Sequence, residues 1–359
     1  MKILKNAKRF LAIVLASILG LLILTIGGLN IAKFKIYREY YEAKTALCKN
    51  PGLNDGFVCQ GIAAVDGDNR ILVSGYMTEG RASRIYVTTT DGESYYVTLN
   101  CDGAPYMGHA GGIAVSGDKA YIAGGSRIYP FELDDVLNAS NTASVNIGKG
   151  TKVNNKASFL YTDDEYLYVG SFTEPDDYYV QQQVYAGANL AAGTGLPIGT
   201  LFYGTNTEYV VTNSSAEIEL PESLYETMEG LHLAICSVYP IDDLSAPVKV
   251  YSIRDRVQGI CFTPDGKIVL STSYGLTSSG YYVYDRDSAT DSGKTLDGAP
   301  VYILENPIME FTGPAMAEGM DYYNGGIITL TESASNKYIF GKLFFADDIV
   351  HLNLNSLVP

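Results

Sequence analysis

The chain has 359 residues, 47% of them hydrophobic and 18% charged, with 37 glycines, 29 tyrosines and no tryptophan. That composition excludes a largely disordered protein and supplies material for a sizeable core. The formal charge of −15 is unevenly divided: residues 1–44 hold eight Lys/Arg against two Glu, so the remainder carries −21. An acidic body of that size repels phosphate backbones and argues against nucleic acid as a partner.

The first element is apolar. Phe10 to Ala32 (FLAIVLASILGLLILTIGGLNIA) is an uncharged run of 23 residues, long enough as a helix to cross ~30 Å of hydrocarbon. Lys2, Lys5, Lys8 and Arg9 precede it and place the N-terminus on the cytoplasmic side. Lys33, Lys35 and Arg38 on the far side are followed by Glu39 and Glu42. A cleaved signal peptide is the rival reading, but its apolar region is normally about 7–15 residues with a small-x-small cleavage site. An uncleaved signal anchor fits better. The expected protein is therefore a single-pass protein of the cell membrane, with a cytoplasmic basic segment (1–9), a transmembrane anchor (10–32) in the lipid bilayer, and an extracellular body. Lys33 to Lys49 reads as a short helix or stalk within a linker over 33–56.

From residue 57 onward one phrase recurs: an apolar strand entered through a small-residue step, a polar turn, and a second alternating strand. It reads CQGIAAVDGDNRILVSGY from Cys59, GGIAVSGDKAYIAGG from Gly111, ASFLYTDDEYLYVGSF from Ala157, QGICFTPDGKIVLSTSY from Gln258 and EGMDYYNGGIITLTES from Glu318. Repeated strand units of this size predict a β-propeller over 57–359, an all-β fold whose blades surround one channel. The first repeat predicts strands Ile62–Val65, Ile71–Ser74, Arg84–Thr88 and Tyr95–Leu99, with Asp-Gly chemistry at its hairpins. The second predicts Ile113–Val115, Ala120–Ala123, Arg127–Glu132 and a weak strand at Ser144–Ile147.

The inner-strand glycines or their equivalents fall at 61, 112, 158, 259 and 319, and the interval between the third and fourth is about twice the others. Five blades with a long insertion at 173–230 is the preferred reading, with six blades as the alternative. Leu231–Val238 and Pro247–Ile253 then complete the third blade, and the insertion, with a hairpin at Glu208–Thr212 and Glu217–Leu220, forms a flap. The fourth blade takes Ile260–Thr263, Lys267–Thr272, Gly280–Tyr284 and Pro300–Leu304. The fifth takes Gly319–Tyr323, Ile327–Glu332 and Lys337–Leu343, and its last strand is either Ile349–Leu354 or the segment before Cys59.

None of the five cysteines (Cys48, Cys59, Cys101, Cys236, Cys261) has a metal or redox spacing. Pairings of Cys48 with Cys101 and of Cys236 with Cys261 both remain open.

Superposing the repeats brings certain residues to the channel mouth. Gln60, His109, Lys156 with Ser158, Gln258 and Glu318 enter the first strands; Tyr76, Gly124, Phe172, Tyr274 and Glu332 close the second strands. Gln60, His109, Gln258, Tyr76 and Tyr274 form a polar, aromatic-lined cup suited to a ligand. Against this stands the ordinary need of inner strands to satisfy their backbones. Glu318 and Glu332 are a carboxylate pair that either holds calcium or shares a proton as an acid/base couple. A structural ion pair of Glu332 with Lys337 or Lys156 is the plainer reading. His109 is the one histidine expected at the mouth, as a base or ligand. No GxSxG elbow, HExxH or CxxC occurs, and GTGLPIGT lacks the lysine of a phosphate loop.

In Gln60-Gly61-Ile62, Gln258-Gly259-Ile260, TPDGKIVLS (Thr263 to Ser271) and AEGMDY (Ala317 to Tyr322), the chain resembles the broad gluconolactonase/strictosidine-synthase-like and YVTN-type β-propellers. Its VQGICFTPDGKIVLSTSYG and EGMDYYNGGIITLTESASNKY stretches are most similar to uncharacterised membrane-anchored propellers of Gram-positive bacteria. The gluconolactonase resemblance implies a divalent metal on Glu318; where that family places an aspartate after IVLS, this chain has Thr272 and Ser273. Two functions follow as expectations. The first is non-catalytic binding of a small molecule, glycan or protein at the channel face, with Tyr178, Tyr179, Tyr185 and Tyr203 of the insertion as stacking surfaces. The alternative is a divalent-metal-dependent hydrolase of lactonase or esterase type, with Glu318, Glu332 and His109 as its catalytic candidates.

Overall fold

The computed structural model describes residues 2–173, 199–202, 208–211, 234–304 and 306–357. They form an all-β propeller preceded by one apolar helix, Lys2–Ile36. Among them, five sheets of four or more strands stand side by side. Their innermost strands are Phe57–Ala64, Gly112–Ser116, Phe159–Thr162, Val257–Phe262 and Ala317–Tyr323. Each lies against the next around a ring, and the last lies against the first.

The repeated glycine step is explained by how tightly that ring closes. A Cβ on Gly61 would sit 2.6 Å from the backbone nitrogen of Ile113 and 2.8 Å from Gly112 Cα. One on Gly259 would sit 3.0 Å from Gly319 Cα, and one on Gly319 3.0 Å from Gly61 Cα. Backbones approach this closely only where no side chain intervenes. Hydroxyls of the second strands stitch neighbouring blades together: Ser74 Oγ donates to the Ala110 carbonyl and Ser271 Oγ to the Glu318 carbonyl, each at 2.9 Å. Between blades the core is rich in tyrosine. Tyr168, Tyr239, Tyr251, Tyr281 and Tyr284 are all fully buried, and Tyr281 stacks on Phe311 at 5.0 Å.

Ring closure uses the chain's two ends. Lys44–Lys49, expected within the linker, is the outermost strand of the last sheet, paired antiparallel with Asp348–Leu352. Lys44 and Lys49 both reach Asp348 at 2.9 Å. The propeller therefore takes up residues before the boundary expected at 57. Asp348–Leu352 is the third strand of that sheet, so Lys337–Leu343 is not a strand; it forms a loop with a short 3-10 turn.

Two more strands depart from expectation. Ser144–Asn146 and Ala299–Ile303 are not the outer strands of their own blades; each pairs in parallel with the preceding sheet, on Ser94–Cys101 and Lys249–Ile253 respectively. Open sheet edges demand cover, and the passing chain supplies it. The true outer strands are Thr151–Lys152 and Met309–Gly313.

The doubled interval belongs to a single sheet, because Ala234–Pro240 pairs with Tyr166–Gly170 and Lys249–Ile253 follows. Within the insertion, Glu208–Val211 pairs with Gly199–Phe202; its expected hairpin partner at 217–220 lies outside the described residues. The rest of the expected flap, including Tyr178, Tyr179, Tyr185 and Tyr203, lies outside the described residues. All five cysteines are free thiols, so neither suggested disulfide forms.

Candidate functional site

Loops joining second to third strands, together with the entries to the first strands, share one end of the channel, here called the upper face. The first strands arrive there with an irregularity. Register slips between Cys59 and Gly61, between Val257 and Gly259, and between Ala317 and Met320. Each slip is a β-bulge on the inner strand, and bulges re-aim side chains. The extra residues fall at Gln60, Gln258 and the Glu318-Gly319 step. The sequence phrase QG/QG/EG is thus the signature of a bulge followed by a close backbone approach.

The structure brings five of the expected residues together. Gln60 Nε2 donates to Glu332 Oε2 at 2.9 Å and to its own Cys59 carbonyl at 2.9 Å. Glu318 is 3% exposed, beside Glu332. Burial pushes the Glu318 carboxyl well above the carboxylate range, and the neighbouring Glu332 charge pushes the same way; Lys337 opposes both. Burial likewise raises Glu332 to about 7, against hydrogen bonds from Tyr338 and Gln60 and the charge of Lys337. Two carboxyls held this way retain a proton near neutrality. Tyr76 stands above them, its hydroxyl 3.4 Å from that of Tyr338 and bonded to Lys337 Nζ. His109 meets the Tyr76 ring edge-on at 4.7 Å, and partial burial with the Lys337 charge lowers its pKa, favouring the neutral imidazole.

Gln258 and Tyr274 form a second cluster one blade earlier. Gln258 Nε2 is 3.5 Å from Ser273 Oγ, and the Arg256 guanidinium lies 4.5 Å from the centre of the Tyr274 ring. A cavity of about 230 Å³ opens here between Arg254, Arg256, Ser273, Tyr274 and Thr277. Two of the remaining mouth positions have contacts of a structural kind. The Lys156 carbonyl accepts from Ser171 Oγ, and Gly124 packs under Tyr106.

Among the described residues, no ion pair joins Glu332 to Lys337 or to Lys156; Lys337 turns to Tyr76 instead. Sequence reading missed Tyr338 as a site residue because Lys337–Leu343 alternates like a strand. It missed Arg256 because a lone arginine before a repeat carries no pattern. Asp321 was also missed. It sits at the other end of the channel, half-buried, accepting from the backbone nitrogens of Ala64 and Tyr322 at 2.8 Å, and desolvation raises it to about 7. Beside it a cavity of about 340 Å³ is lined by Asp66, Tyr161, Asp163 and Arg286.

The donor set does not suit calcium. That ion takes six to eight oxygens, whereas Gln60 presents its amide nitrogen to Glu332 and the Lys337 charge acts on both carboxyls. Among the described residues, no three His, Cys, Asp or Glu side chains converge as a metal requires.

The fold defines a β-propeller. The sequence matches no protein-family model, and no curated protein matches it. Solved propeller structures do align with it. The PQQ-bound aldose sugar dehydrogenase of Streptomyces coelicolor is 12% identical, covering 80% of this chain and 76% of its own, with a TM-score of 0.37. An oxidoreductase of Thermus thermophilus described as a glucose dehydrogenase is 11% identical, covering 86% and 99%, with a TM-score of 0.38. A chain of the nidogen/laminin complex is 11% identical, covering 77% and 73%, with a TM-score of 0.35. Likeness at this level assigns no activity.

Proposed function

We propose that this is a membrane-anchored propeller of five blades that binds a polar, polyhydroxylated ligand of the carbohydrate class at its upper channel mouth without chemical turnover. The single observation that carries the reading is the set of three bulges. They set Gln60, Gln258 and the Glu318-Gly319 step at equivalent points of three separate inner strands, at the end of the channel where Tyr76 and Tyr274 close the second strands. Amides and carboxyls that both donate and accept, flanked by aromatic faces, match the alternating hydroxyls and apolar patches of a sugar ring. A carboxyl pair that retains a proton near neutrality favours a neutral hydroxyl over a cation. The anchor is the helix Asn6–Ile36, whose apolar side chains are exposed along its length.

The test is saturation-transfer NMR on the full chain in lipid nanodiscs with a panel of mono- and disaccharides. At least one sugar should receive saturation from the wild type and lose it with Glu318→Gln or Gln60→Ala. If no sugar engages the chain, or if the variants bind equally well, the reading fails. Calcium-dependent hydrolysis of a lactone or ester, abolished by Glu318→Gln, would establish the hydrolase in its place.

A further inference from the structure

The apolar helix and the propeller meet at one loop. Asn30 Nδ2 donates to the Leu343 carbonyl at 3.1 Å, and its Oδ1 accepts from the Phe345 backbone nitrogen at 3.1 Å. Lys33 Nζ donates to the Phe345 carbonyl at 2.6 Å. These bonds hold the loop 339–345 beside the end of the apolar run, at the depth where a spanning helix leaves the hydrocarbon. From Ile36 the chain turns directly into the short helix Arg38–Ala43, with Tyr37 and Tyr40 buried against the propeller. No free linker intervenes, so the propeller's placement on the helix is fixed.

On that loop Ile339 is 78% and Phe340 69% exposed. The same upper face carries the exposed apolar side chains of Met107 and Leu276, whereas the opposite face shows Val248 and Ile308. Large apolar groups beside a spanning helix remain costly in water but are favourable in the headgroup–acyl boundary. Lys33 and Lys337 flank them, as suits anionic headgroups.

We infer that the upper face is a second membrane contact: Ile339 and Phe340 enter the bilayer interface beside the helix, and the channel mouth is turned toward lipid. The inference rests on the anchor reading above and adds the orientation of the body. It makes the ligand of the mouth one presented at the membrane surface rather than one drawn from bulk solvent.

The chain's lack of tryptophan permits a clean test. Phe340→Trp in the full-length chain, reconstituted into vesicles of phosphatidylcholine and phosphatidylglycerol, carries the sole indole. Its emission should shift to the blue and be strongly quenched when the lipids are brominated near the headgroup end of the acyl chains. A Val248→Trp variant, on the opposite face, should emit as in water and escape quenching. Equal quenching of the two, or a water-like and unquenched F340W indole, overturns the docking. A blue-shifted but unquenched F340W indole overturns it too, because protein rather than lipid then covers the patch. An alkaline carbonate wash separates the two layers of the claim. A chain stripped from the vesicles contradicts the anchor and the docking together, whereas a retained chain with an unquenched indole contradicts the docking alone.

Discussion

Glu332 and Glu318 share an environment that penalises their charged forms, and the sign of the consequence is fixed. A carboxyl whose folded pKa lies above its unfolded value stays protonated in the native state while the unfolded chain ionises. Native stability then falls as pH rises between 4.5 and about 7 for Glu332. Asp321, raised to about 7, acts in the same direction. Glu332→Gln should therefore melt higher than wild type above neutrality, by on the order of 1–3 kcal/mol, with the difference shrinking towards the acid side of the window. Thermal melts of both proteins across that range check it, and an unchanged difference at every pH contradicts the shared-proton environment.

The glycine ring makes a second demand at this scale. Gly61→Ala places a methyl group 2.6 Å from the Ile113 nitrogen, and overpacking of this kind should cost about 1–3 kcal/mol, read by denaturant unfolding.

At the scale of the element, the strand Lys44–Lys49 closes the ring without a covalent bond, through its ladder with Asp348–Leu352 and the lysine contacts to Asp348. A chain beginning at residue 34 keeps this strand and the buried Tyr37 and Tyr40, and should melt cooperatively. A chain beginning at residue 50 leaves the last sheet with a bare edge and should melt lower by on the order of 10 °C, or aggregate through that edge. Equal melting of the two would show that the strand is dispensable.

The inner two strands of every blade were legible in the sequence, because alternation, Asp-Gly turns and the glycine step are all local signals. The outer strands were less so. Ser144–Asn146 and Ala299–Ile303 carry good strand patterns, but nothing in their residues says which neighbouring sheet they join. The segment before Cys59 was one of two candidates for the closing strand, but its bounds at Lys44–Lys49 could not be read locally because its partner lies some three hundred residues away. At the site, Gln60, Gln258 and Glu318 were found through the repeat, although the bulges that aim them are visible only in the register. Tyr338 and Arg256 sit in loops, where no period operates.

For the whole molecule, the helix, the ring closure and the upper face form one device. The chain leaves the apolar helix, docks Tyr40 between blades near Tyr281 at 5.8 Å, and closes the propeller within the next strand. The loop 339–345 bonds back to the helix while its neighbours Lys337 and Tyr338 complete the carboxyl cluster. Substitutions that detach this loop, such as Asn30→Ala, should therefore perturb the mouth as well as the proposed membrane contact, seen as a changed pH dependence of melting.

In the reading proposed above, the two clusters at the channel mouth, delivered by separate blades, hold one ligand between them. That reading is tested most directly by measuring the affinity of one bound sugar for wild type, Gln60→Ala, Gln258→Ala and the double variant. Each single change should weaken binding by about tenfold, or roughly 1.4 kcal/mol, and the double variant should depart from additivity, because both amides hold the same ligand in the proposed site. Loss of affinity in only one of the two single variants, with the other indistinguishable from wild type, would contradict it.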